Sequence, residues 1–413
     1  MAAWRLIFVA YAVDPELGSE PGVGWNFLIS ALKQAHRSDG FVDLLCSQTS
    51  GAAVREHVNL LGCWADRLAV HSLSSERIER SLLGTPMLRI HYILWIREVR
   101  RYLSKVEAAD ERLYIHHVTF GSEILPVGLP KLRRQSFRVW GPVGSTGDPR
   151  IYDIHPRSMR HRAAALAQIL RNAIADRVAG RNARRADLVL TQSDAVARRL
   201  QRRSITCYSF PNFVPSEDIV RAIAERRTTR QYRRGSASLL VVGQLTLNKR
   251  VDLAVSLLAE PELQTAQLIV AGSGPEAARL KRLAYALGVS DRVSWTGEVE
   301  RLQVVELMRT SDVLLHLSAR EGASGAVAEA TMLGLPVVCF STSGAAETLE
   351  YSEGPGIALS PRCSIARISL AVLEAIELTG RSEIWTIDRL DDLTRRLYGS
   401  SECIRSGREA DVR

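Results

Sequence analysis

Short apolar runs alternate with stretches of helical period along most of the chain. Leu6 to Ala12 is continuously apolar, and behind it Trp25, Leu28, Ile29 and Leu32 return at helical spacing. The same alternation predicts strands at Val42 to Cys46, Leu68 to Leu73, Leu113 to Val118, Arg138 to Val143 and Leu188 to Gln192, with a helix over Ala52 to Leu61. Strands divided by helical stretches imply a parallel sheet with right-handed crossovers.

The pattern breaks at Pro211-Asn212, where a polar, arginine-rich run from Ser216 to Ser238 reads as a connecting helix and linker. It then resumes. Leu239 to Val242 is a strand ending in Gly243-Gln244, with a helix over Val251 to Leu258. Leu268 to Ala271 turns at Gly272-Ser-Gly274-Pro275 into a helix over Glu276 to Leu287, and Val293 to Gly297 is the next strand. After Leu378 come Trp385 and the amphipathic stretch Leu390 to Tyr398. The predicted organisation is an α/β chain of two Rossmann-like domains, 1–212 and 239–378, joined by a linker at 213–238. Residues 379–413 form a terminal helix and a polar, unstructured tail from Gly399.

A length of 413 residues suits two such domains with sizeable cores. No stretch approaches the roughly 20 uncharged apolar residues of a membrane span. Met1 to Val13 has the basic start and short apolar run of a leader, yet it runs into a glycine loop without a small-residue cleavage site, so a first strand is the expectation. The six cysteines form no C-x-x-C pair, which points away from zinc and towards a reducing, cytoplasmic setting.

The net charge of +9 is uneven. Arg157, Arg160, His161, Arg162, Arg171, Arg177, Arg181, Arg184 and Arg185 share one segment in which Asp176 is the single acid. Such a stripe favours anionic surfaces, acidic lipid headgroups among them, or is an arginine-rich solvated face. Pro86 to Leu103 is similar, with Tyr92, Trp95, Ile96 and Val99 beside Arg97, Arg100 and Arg101; it reads as a crossover helix with snorkelling arginines or as a membrane-interface helix. No helix-turn-helix, zinc finger or aromatic platform accompanies the charge, so nucleic acid is not expected as a partner.

The chemistry concentrates after the apolar run at Leu315. There the chain reads Arg320-Glu321-Gly322-Ala323-Ser324-Gly325-Ala-Val-Ala-Glu329, a strand, a small-residue loop and a helix start. In a parallel sheet that is where ligands sit, because the helix start offers free N–H groups and a positive dipole end. Two carboxylates beside it suit a ligand that is phosphate in the middle and hydroxyl-rich at each end, as a nucleotide sugar is.

Glu321 and Glu329, with seven residues between them and Gly-Leu-Pro-Val-Val after, resemble the E-x7-E motif of glycosyltransferase family 4, retaining enzymes of the two-Rossmann GT-B fold. The resemblance implies a cleft between the domains, a C-terminal helix crossing back to the N-terminal domain, Glu321 near the donor sugar and Glu329 on the nucleotide ribose. The loop with Gly18, Gly22 and Gly24 resembles the family's glycine loop facing the donor diphosphate. His117, with His116 as fallback, resembles the family histidine that contacts the sugar. Gly243-Gln244-Leu-x-x-x-Lys249-Arg250 resembles a diphosphate clamp in which Lys249 is retained. Gln244 stands where the family has arginine, and neighbouring Arg250 is a candidate replacement. Gly274 resembles the turn near the base. Ala323, Ser324 and Gly325 replace the family's Phe-Gly loop.

The resemblance thus implies a hexose-type transfer from a nucleoside diphosphate sugar to a sugar or lipid-linked acceptor, with no cofactor and no obligatory metal, in polysaccharide or glycolipid assembly. The setting it implies is the cytoplasm, peripheral on the inner face of the cell membrane. Rival expectations are an epimerase or phosphorylase on the same scaffold, and a catalytically weakened paralogue that binds membrane or a partner.

Overall fold

The apolar runs become the central strands of two parallel sheets. The computed structural model describes residues 3–17, 19–73, 79, 88–106, 112–130, 136–154, 158–225 and 236–399. The polar tail beyond Gly399, Arg157, Gly18 and much of the predicted linker lie outside these residues. The chain divides into two units: Met1–Gly144 with Ile174–Asn212 and Asp388–Arg413, and Ser145–Ala173 with Phe213–Ile387.

The first unit holds a sheet of seven strands in the spatial order Leu68–Ser72, Gly40–Cys46, Trp4–Val9, Arg112–His117, Ser136–Val143, Leu188–Thr191, Cys207–Ser209, all parallel. One face is covered by the helix Leu88–Lys105, which buries Tyr92, Trp95, Ile96 and Val99 with Ile7, Val9 and Ile115. Each such side chain contributes roughly 1.5–3 kcal/mol of transfer free energy. The helix Ser19–Arg37 and the terminal helix Arg389–Tyr398 pack together elsewhere in the same unit. Ser30 Oγ lies 2.7 Å from Thr394 Oγ1, Lys33 pairs with Asp391 at 3.1 Å, and Tyr398 stacks on Trp4 with centroids 5.8 Å apart. The helix Arg389–Tyr398 therefore belongs to the unit that holds Trp4–Val9.

Two local expectations are corrected. The helix after the first strand starts at Ser19, so Gly22 and Gly24 lie in its first turns and not in a loop. A Cβ at Gly24 would stand 2.2 Å from Ala12 O, so glycine here lets the helix approach the end of the first strand. The helix expected over 52–61 instead spans Gln48–Glu56, because Ser47 caps it by accepting from the Ser50 N–H. A 3-10 segment, Val58–Arg67, follows.

The second unit holds six parallel strands in the order Val293–Gly297, Gln267–Ala271, Ser238–Val242, Val313–His316, Val337–Phe340, Gly356–Leu359. In order of appearance this is 3-2-1-4-5-6, the doubly wound arrangement whose topological switch point lies between the first and fourth strands. Residues 145–173, expected in the first domain, join this unit. Thr146–Gly147 pairs antiparallel with Arg320–Glu321, and His161 sits 3.4 Å from Asp252. The helix Glu217–Glu225 opens the predicted linker and packs through Arg309, which donates to Ala222 O. The unit extends past Leu378 to Ile387, because Trp385 packs with Phe213, Ala328 and Met332 and donates to Ser352 Oγ at 2.9 Å.

Among the described residues no helix is long and apolar enough to cross a membrane, and no cluster of His, Cys, Asp and Glu is placed to hold a metal ion. The five described cysteines are free.

Candidate active site

The switch point of the second sheet fixes which loops meet. The strand Ser238–Val242 runs out into Gly243, Gln244 and Lys249, and the strand Val313–His316 beside it runs out into Glu321. Asn248 joins the two loops: its carbonyl accepts from the Ala319 N–H at 2.8 Å, and its Nδ2 donates to Arg320 O at 2.9 Å. Tyr152 O–H donates to Asn248 Oδ1 at 3.3 Å. Lys249 and Glu321 are thereby brought together, with Nζ 2.6 Å from Oε2.

The same carboxylate oxygen lies 3.0 Å from His316 Nε2. A carboxylate only accepts, so the imidazole proton is on Nε2. Burial holds His316 below its usual range, which keeps it neutral, while the Glu321 contact pulls the other way. For Glu321, burial pushes the carboxyl up, but the His316 hydrogen bond and the Lys249 ammonium outweigh it and bring the value down to about 2. The result is a half-buried carboxylate that is ionised at neutral pH and accepts from two donors.

Ser324 caps the helix Gly325–Leu333. Its Oγ accepts from the Val327 N–H at 3.4 Å and lies 3.4 Å from His316 Nε2, and its own N–H donates to Thr348 Oγ1 at 3.0 Å. Ala323 is half-buried beside it, and Gly325 opens the helix. Glu329, buried in the second turn, accepts from the half-exposed Arg301. Burial raises the Glu329 carboxyl and Arg301 opposes the shift.

On the other side of the Lys249 loop, Leu245 N–H donates to Ser273 O at 2.7 Å and Leu245 O accepts from the Glu276 N–H at 2.9 Å. Gly274 has φ +154, and a Cβ there would stand 2.6 Å from Leu245 O, so glycine permits the two strand-end loops to touch. Gln244 is exposed on this loop.

Two expected ligand contacts are not met. Arg250 is completely buried; its guanidinium donates to Ile151 O, to Ile154 O at 2.9 Å and to Asp252, so it clasps residues 145–173 and cannot replace the missing arginine. Its backbone is left-handed at φ 49, which turns its side chain away from that of Lys249. In the first unit His117 is buried: Nδ1 accepts from the Gly128 N–H at 3.2 Å, so Nε2 carries the proton and donates to Tyr92 Oη at 3.0 Å. Tyr92 O–H in turn donates to Pro126 O at 2.9 Å. His116 is likewise engaged, by Gly141 O at 2.8 Å and Tyr398 Oη at 2.5 Å. Neither ring has a nitrogen left for a sugar.

Sequence reasoning missed His316, Asn248 and Arg301. A histidine ending an apolar strand, five residues before a glutamate, was the available signal for the first. An arginine opening the helix before the Glu321 strand was the signal for the last.

Residues 225–386 match the family Glycosyl transferases group 1, a span that falls within the second unit. Over 131 residues the chain is 31% identical to the 2-deoxystreptamine N-acetyl-D-glucosaminyltransferase of Streptomyces fradiae, covering 32% of this chain and 30% of that protein. Over 163 residues it is 28% identical to the GDP-mannose-dependent alpha-(1-6)-phosphatidylinositol monomannoside mannosyltransferase of Mycobacterium tuberculosis, covering 37% and 42%. The chain thus spans less than half the length of these relatives. The structure of Anabaena Alr3699/HepE in complex with UDP and glucose superposes with a TM-score of 0.51 at 16% identity over 95% of each chain. The two Rossmann-like units are those of the GT-B fold.

Proposed function

We propose that the chain transfers a hexose-type sugar from a nucleoside diphosphate sugar to an acceptor hydroxyl, with retention at the anomeric carbon, in glycolipid or polysaccharide assembly. The observation that carries this reading is the Lys249–Glu321–His316 cluster at the switch point of the unit that matches the glycosyltransferase family. The Mycobacterium tuberculosis relative, whose name gives a GDP-mannose donor and a phosphatidylinositol mannoside, supports a nucleoside diphosphate sugar and a lipid-linked acceptor.

In this reading the residues divide the donor between them. Lys249 and the N–H groups opening the helix at Gly325 stabilise the diphosphate as negative charge grows on the leaving oxygen. Glu321, ionised and held by His316, accepts from the sugar hydroxyls. Glu329 and Arg301 take the ribose end. The new bond forms between the acceptor oxygen and the anomeric carbon on the face the diphosphate leaves, and the acceptor proton passes to the departing phosphate oxygen. That step needs positioning and neither a protein nucleophile nor a metal.

Gln244 supports a second reading, a catalytically weakened paralogue, since a neutral exposed side chain adds no cation to the diphosphate. The test is release of nucleoside diphosphate from a panel of UDP-, GDP- and ADP-sugars with lipid-linked and soluble sugar acceptors, followed by proton NMR of the product anomer. Turnover by the parent, retention in the product and loss in Glu321→Gln support the transferase. Inversion overturns the stereochemistry, and no release with any donor favours the paralogue.

A further inference from the structure

The first sheet has a switch point of its own. In order of appearance its strands run 3-2-1-4-5-6-7, so the reversal falls between Trp4–Val9 and Arg112–His117, and the segments leaving those two strands flank a crevice. Thr119 Oγ1 accepts from the Ala12 N–H at 3.1 Å. Glu20, in the first turn of the helix Ser19–Arg37, accepts on Oε2 from the Phe120 N–H at 2.9 Å. Both strand ends and the helix start therefore meet at Thr119 and Phe120.

Phe120 is half-buried and left-handed at φ 54, a conformation rare for a bulky side chain. Its ring stacks on Tyr92 with centroids 4.8 Å apart and meets Tyr11 at 5.0 Å and 87°. The turn thus fixes an aromatic ring beside a half-buried carboxylate.

The two switch points differ in charge. In the second unit Lys249 stands at the crevice and the first turn of the helix Gly325–Leu333 carries no acid, which suits a diphosphate. In the first unit the helix start is already answered by Glu20, and no cation bears on that carboxyl among the described residues. Burial raises it, and the N–H groups of Phe120 and Gly121 oppose the shift. A phosphate finds no partner there. A carboxylate accepts and never donates, and an aromatic ring offers apolar surface. A pyranose supplies both complements, hydroxyl donors and a C–H face.

We infer that Glu20 and Phe120 form a subsite for the acceptor and select an uncharged sugar. Glu20 accepts from a ring hydroxyl, Phe120 packs on the C–H face, and a sugar carrying a phosphate or a carboxylate is disfavoured. That this sugar is the acceptor's rests on the proposed function, which assigns the nucleotide sugar to the second unit. Binding is measured without nucleotide or turnover, so either can fail alone.

The experiment is saturation-transfer difference NMR of the full chain at about pH 8, where the raised Glu20 carboxyl is ionised. The probes are the methyl glycosides of glucose, galactose, mannose and N-acetylglucosamine, beside glucuronic acid and glucose 6-phosphate. At least one neutral glycoside receives saturation at its ring C–H protons, and the two charged sugars give about a fifth of that signal or less, because like charges meet at Glu20. Glu20→Gln, which keeps an oxygen for the Phe120 N–H, weakens the neutral glycoside about fivefold or more and narrows its advantage over glucose 6-phosphate. Phe120→Leu, which keeps the backbone but removes the ring, weakens it by a similar factor. Glu321→Gln leaves the signal unchanged, which separates this subsite from the second unit's site. Variants are compared where their melting matches the parent's, and the parent's preference for uncharged sugars is read without them. No transfer to any neutral glycoside, equal transfer to the charged sugars, or a signal that survives both Glu20→Gln and Phe120→Leu overturns the inference. So does a signal lost in Glu321→Gln, since the glycoside would then occupy the second unit's site.

Discussion

Lys249 Nζ and Glu321 Oε2 are 2.6 Å apart, although 72 positions separate the residues in the chain. Replacing Lys249 by Met leaves a half-buried carboxylate without its cation and the diphosphate without its ammonium. Stability falls by about 1–3 kcal/mol in urea unfolding, and turnover by on the order of a hundredfold to a thousandfold. A Lys249→Met protein that turns over like the parent would remove Lys249 from the chemistry.

Arg250→Met behaves differently from its neighbour. It strips the guanidinium from buried Asp252, which keeps only His161 at 3.4 Å among the ion pairs described, and from two backbone carbonyls, so the second unit loses roughly 3 kcal/mol or more. Nucleotide affinity of the molecules that remain folded is unchanged by calorimetry. Normal stability with lost affinity would return Arg250 to the ligand site.

Gln244→Arg places a guanidinium on the exposed loop beside Lys249. Affinity for a nucleoside diphosphate rises by about threefold to tenfold, since a charge-assisted hydrogen bond to phosphate replaces a neutral one. Titration calorimetry reads this directly, and an unchanged or weaker dissociation constant counts against diphosphate binding at this loop.

Acid weakens the first unit. Burial holds His116 down to about 4, and burial together with the His116 charge holds His117 down to about 3, against 6.5 in the unfolded chain. The unfolded state therefore binds more protons between these values. Stability is full above about pH 6.5 and falls as pH drops towards 4, by up to about 1.4 kcal/mol per pH unit for each ring. Glu321 has the depressed-acid pattern: its contribution is present above its ordinary 4.5 and is lost as pH falls towards about 2. Chemical denaturation at about pH 7 and about pH 5 measures the histidine part, and His116→Gln removes about half of it. Equal stability at the two pH values would mean that these rings are not buried neutral.

How much of this was legible depended on range along the chain. The strands were readable because buried parallel strands are continuous apolar runs, and the division at Asn212 because composition changes there. The carboxylates at 321 and 329 stood out by spacing. What failed turned on single backbone torsions and distant partners. Lys249 and Arg250 look equivalent as neighbours, but the left-handed turn at Arg250 sends one to Glu321 and the other into the core. Residues 145–173 follow first-unit strands in sequence, and only the pairing with 320–321 and the Arg250 clasp assign them to the second unit. His116 and His117 alternate as expected, yet Tyr398 and Tyr92, distant in sequence, occupy the nitrogens that a ligand would need.

The most direct measurement is the thermal midpoint of the purified chain with UDP, GDP, ADP and their sugars, beside Glu329→Gln. A ligand that binds the native state raises the midpoint with the logarithm of its concentration relative to its dissociation constant. The account predicts that one nucleotide family stabilises the parent and that Glu329→Gln loses most of that shift while melting normally without ligand. No stabilisation of the parent by any of them would contradict the assignment of the Lys249, Glu321 and Glu329 site to a nucleotide sugar.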